Sequence, residues 1–62
     1  MPSPTQMRNQ RIEELVDAFQ GLGIDKIDVI LAFAFERFPA IRPQTVKSYA
    51  VAAFAILKRK GL

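Results

Sequence analysis

The chain has 62 residues, half of them hydrophobic, and nine basic against six acidic side chains give it a net charge of +3. It has no cysteine and no histidine, so disulfides are excluded and a transition-metal site lacks its usual ligands. A domain this short buries only about 60% of the surface its unfolded chain exposes, so such a large apolar share requires a packed helical core, a second copy of the chain, or both.

A short flexible arm is expected over residues 1–3, with Ser3 at its end a candidate N-cap. Pro4 suits the first helical position, and Gln6 completes a capping box of the S-x-x-Q kind. Ile12, Leu15, Val16, Phe19 and Leu22 then follow at spacings of three and four, with Arg11, Glu13, Glu14 and Asp17 on the other side. This pattern predicts a first helix over residues 4–20, stopped by Gly21 and Gly23.

Asp25 is the expected N-cap of the second helix, and Asp28 places a negative charge in its first turn, where the helix dipole favours one. Ile27, Ile30, Leu31, Ala34, Phe35 and Phe38 form the main apolar stripe, and Val29 and Phe33 form a second beside it. A helix apolar on nearly all sides is usually buried on nearly all sides. The second helix is therefore expected at the centre of the fold or against another chain, with Val29 and Phe33 as interface residues.

Pro39 ends that helix, because the residue before a proline resists the α region. The turn Pro39–Arg42 follows, and Pro43 opens a third helix at its favoured first position. This helix is predicted to run to Lys60, with Gly61 as its stop and Lys58, Arg59 and Lys60 complementing the dipole of its last turn. At about 100° per residue, Val46, Tyr49, Ala50, Ala53, Phe54, Ile56 and Leu57 gather on one side as the core face. The expected fold is an all-α, small three-helix bundle, one domain over residues 1–62, with a helix-turn-helix-like arrangement of the second and third helices.

The opposite face of the third helix carries Gln44, Lys47, Ser48, Val51, Ala52, Ala55, Lys58 and Arg59, and the helix has no acidic residue. Slim side chains let a helix enter the major groove of DNA, which is about 12 Å wide. Gln44, Lys47 and Ser48 can hydrogen-bond base edges, while Lys58 and Arg59 suit phosphates. Arg42, a poor capping type, and Thr45 could hold a phosphate at the helix start. The small residues Val51, Ala52 and Ala55 suit a groove and a close helix–helix interface alike, so duplex DNA and a homodimer are both expected partners.

Thr45-Val46-Lys47-Ser48-Tyr49, ending in Leu57-Lys58-Arg59-Lys60-Gly61-Leu62, resembles the recognition helix of helix-turn-helix regulators. LuxR-type and winged-helix regulators often carry a Thr-Val-Lys/Arg start and a Leu-x-x-x-Gly-Leu/Val finish. The resemblance covers the last third of the chain. It implies transcriptional or replication control, with Thr45 and Lys47 touching DNA.

Other classes fit poorly. No apolar run, Val29 to Phe35 included, comes near the ~20 residues needed to cross a bilayer. The N-terminus lacks the order of a secretory leader, and a cytoplasmic location is expected. Without histidine or cysteine, with Glu13 and Glu14 adjacent and solvated, and with too little bulk for a deep pocket, catalysis and a small-molecule substrate are not expected. No cofactor is expected either.

Overall fold

The computed structural model describes residues 3–60, and three helices make up the fold: α1 (Pro4–Phe19), α2 (Ile27–Arg37) and α3 (Pro43–Arg59). No strand occurs among the described residues. The start of α1 is set locally. The Ser3 hydroxyl accepts a hydrogen bond from the Gln6 N–H at 3.2 Å, and Gln6 Oε1 accepts one from the Ser3 N–H at 3.1 Å. Ser3 thus belongs to the cap rather than to an arm. Met1 and Pro2, like the expected stop at Gly61, lie outside the described residues.

Contacts between side chains give the directions of the helices. Phe33 meets Phe19 edge-on at 5.2 Å and Arg37 pairs with Glu14 at 2.7 Å, so α2 runs back along α1. Arg11, midway along α1, donates to the Tyr49 hydroxyl at 3.1 Å, and a groove farther along holds Asp17 together with Lys60. Hence α3 runs in the same sense as α1. The core consists of Ile12, Leu15, Val16 and Phe19 from α1, Ile30, Ala34 and Phe38 from α2 and its cap, and Val46, Tyr49, Ala50, Ala53 and Leu57 from α3. No polar or charged residue is buried with them.

The structure differs from the sequence expectations at several places. The central helix is α3, which packs on both others, and not α2. Leu22 is 63% exposed and not part of the α1 stripe. The helix has already ended there: the Leu22 N–H bonds the Phe19 carbonyl, and Gly21 at φ 82 turns the chain away, so the helical period no longer applies. Asp25 does not cap α2, because extended Lys26 takes the cap position without a side-chain bond. Phe35 is 42% exposed, since two neighbouring helices cover less of α2 than its apolar arc requires. Phe54 is only half-buried, on the flank of α3, where the Lys58 ammonium lies 5.3 Å from its ring centroid.

The burial pattern orders the cost of truncations. Leu15 is fully buried, so Leu15→Ala should cost ~2–5 kcal/mol. That matches the whole ~3–5 kcal/mol available to so small a domain, and the variant should be largely unfolded at room temperature. Half-buried Phe54 should lose less on truncation to Ala and keep a cooperative transition. Urea unfolding followed by circular dichroism checks both, and a Phe54→Ala variant as damaged as Leu15→Ala would contradict the burial assigned to α3.

Candidate nucleic-acid interface

Residues 44 to 59 of α3 span about 22 Å at 1.5 Å per residue. Gln44, Lys47, Ser48, Val51, Ala55, Lys58 and Arg59 are all exposed along this length, while Thr45 and Ala52 are half-buried. The expected face is therefore on the surface, with two qualifications. Ala52 packs partly against the core. The Ser48 hydroxyl donates to the Thr45 carbonyl at 2.7 Å, so it offers its lone pairs more readily than its proton.

Pro43 and the uncapped Arg42 open the helix, and Arg42 makes no side-chain cap bond. The N–H groups of Gln44 and Thr45 belong to the first turn, which has no partners within the helix. Arg42 itself is exposed, just before that turn.

The two flanks of the face differ. On one, Lys58 rests its ammonium over Phe54. On the other, Ala52, Ala55 and Ile56 meet Ile12 and Val16 of α1 across a groove of about 430 Å³. Arg8 and Arg59 also line that groove, with Glu13 and Asp17 on its α1 side. Those carboxylates oppose an anion at the Arg59 end. At the other end, a shallow hollow gathers Arg8 with Gln44, Lys47, Ser48 and Val51. Arg8 is the one basic residue of this surface without a signal in the sequence. It arrives there because α1 and α3 lie side by side in the same direction, a tertiary relation that no local pattern announces.

Charge is unevenly spread over the molecule: two of its nine basic residues, Lys26 and Arg37, lie at the ends of α2, and the other seven lie elsewhere. Arg8, Arg11, Arg42, Lys47, Lys58, Arg59 and Lys60 sit on the first half of α1 or on α3 and its ends. Glu13, Glu14, Asp17, Asp25, Asp28 and Glu36 all sit on the second half of α1, on α2 or just before α2. The one ion pair among the described residues, Glu14–Arg37, involves no base of α3. Arg11 is tied to Tyr49, by its hydrogen bond and by a guanidinium 5.9 Å from the ring centroid.

The apolar interface candidates separate as well. Val29 is 46% exposed, whereas Phe33 is 37% exposed and uses one edge of its ring on Phe19. Phe35, on the opposite flank of α2 from Phe33, and Leu22, in the turn after α1, are exposed as well. No group of His, Cys, Asp or Glu side chains among the described residues could hold a metal ion, and no helix of the described residues is long and apolar enough to cross a membrane.

Compared with known protein families, curated proteins and solved structures, the chain matches none.

The Arg11–Tyr49 contact gives a direct test of the α1–α3 register. Tyr49→Phe removes one part-buried hydrogen bond and should cost ~0.5–1.5 kcal/mol while leaving helicity unchanged. An unfolding midpoint equal to that of the wild type would mean that this contact contributes nothing.

Proposed function

We propose that the chain is a small DNA-binding module that places the exposed face of α3 in the major groove of a duplex. The observation that carries this reading is the face itself: surface-exposed, free of acidic residues, slim at Val51 and Ala55, and basic at both ends. Gln44 and Lys47 would contact base edges, with Ser48 accepting from a base or a water. Arg42 and Thr45 would hold a phosphate at the helix start, with Lys58, Arg59 and Arg8 on flanking phosphates. In this reading α2 and α3 act as the helix-turn-helix pair, α1 braces them, and the module serves a transcriptional or replication regulator in the cytoplasm.

Mobility shifts with random duplex DNA at two salt concentrations test it. Removing one basic side chain from a phosphate should flatten the slope of log affinity against log salt by ~0.9. Arg8→Ala should do so, and Lys58→Ala with Arg59→Ala should do so by somewhat less than two such steps, because Glu13 and Asp17 already oppose an anion near Arg59. Gln44→Ala should leave the slope alone and blur sequence preference by ~1–3 kcal/mol. A wild type without salt-sensitive affinity for duplex DNA ends this reading.

A second reading, self-association, is favoured by a separate observation. Val29 and Phe33, one turn apart on α2, are both partly exposed, and exposed apolar patches on small proteins commonly mark contact sites.

A further inference from the structure

The surface between α1 and α3 differs in charge from one end to the other. The hollow beside the start of α3 holds Arg8 and Lys47 and no acidic residue. It shares Arg8 and Ala52 with the groove beyond, so the two are continuous. Farther along, two carboxylates on the α1 wall, Glu13 and Asp17, stand with two bases at the end of α3, Arg59 and Lys60. Glu13 and Asp17 share that wall because residues four apart lie on one side of a helix. All four side chains are exposed, and none is held in an ion pair. Packed helices lie about 8–10 Å apart, which is about one Debye length at physiological salt, so charges facing across the groove act on each other.

We propose that Glu13 and Asp17 set the polarity of docking on DNA. They cancel the field of Arg59 and Lys60, so the sugar-phosphate backbone seats at the Arg8 end of the groove and is turned away from the other. The positive field that attracts phosphates is then concentrated beside Gln44 and Lys47, the residues placed to reach base edges. Arg59 makes less than a full phosphate contact in consequence. Lys58 is outside this balance, because it lies on the opposite flank of α3, over Phe54. The inference rests on the DNA-binding reading of α3 and adds to it two positioning residues that touch neither base nor phosphate.

Mobility shifts of the full chain with random duplex DNA test it. At about 50 mM salt, E13Q/D17N should bind more tightly than the wild type, with a slope of log affinity against log salt steeper by ~0.9 for each phosphate newly reached. One such contact loses about 3.5-fold in affinity between about 50 and 200 mM salt, so the advantage should shrink by that factor. In the background R59A/K60A the same two substitutions should bring no gain. D28N/E36Q makes the same change in net charge on α2, away from the groove, and should bind as the wild type does. Circular dichroism checks that every variant stays helical; all the substituted side chains are exposed, so the fold does not depend on them. A wild type without affinity for duplex DNA ends the DNA reading and this proposal with it. A wild type that binds, with E13Q/D17N unchanged in affinity and slope, overturns this proposal alone. So does an equal gain in D28N/E36Q, which would make net charge the cause, and so does a gain that survives in R59A/K60A.

Discussion

Ala50 and Ala53 are fully buried, and their size lets two helices close onto one side of α3. Around them, Val46 and Leu57 fill the space that the alanines leave, and Tyr49 spans to both neighbours. It meets Phe38 edge-on at 6.1 Å and receives a hydrogen bond from Arg11. The α1 and α2 helices touch each other much less, chiefly where Phe19 meets Phe33 and Glu14 meets Arg37. Their relative position therefore depends on α3. The Glu14–Arg37 pair is half in solvent, and exposed ion pairs of this kind contribute little stability.

This dependence leaves α2 short of cover. With eleven residues and only two helical neighbours, it buries Ile30 and Ala34, and Phe38 just past its end, while Val29, Phe33 and Phe35 remain outside. Asp28 and Glu36 lie on α2 with Lys26 and Arg37 at its ends, whereas the exposed side of α3 carries bases and no acid. The two outward faces thus differ in charge balance and in side-chain size.

Features set by neighbours in sequence were legible from the residues. The capping box of Ser3 and Gln6, the break at Pro39 and the start at Pro43 all depend on local geometry, and each is found where expected. The core of α3 was legible for the same reason, since one strongly amphipathic period runs its whole length. What failed depended on tertiary fit. Leu22 keeps the helical spacing but lies past the end of its helix, and Asp25 is a good capping type one position too early. Phe35 and Phe54 lie at the borders of apolar arcs, where the coverage by neighbours decides burial and the period does not. Arg8 joins the α3 surface only because α1 and α3 lie side by side, and Arg11, a neighbour one turn on, is used up on Tyr49.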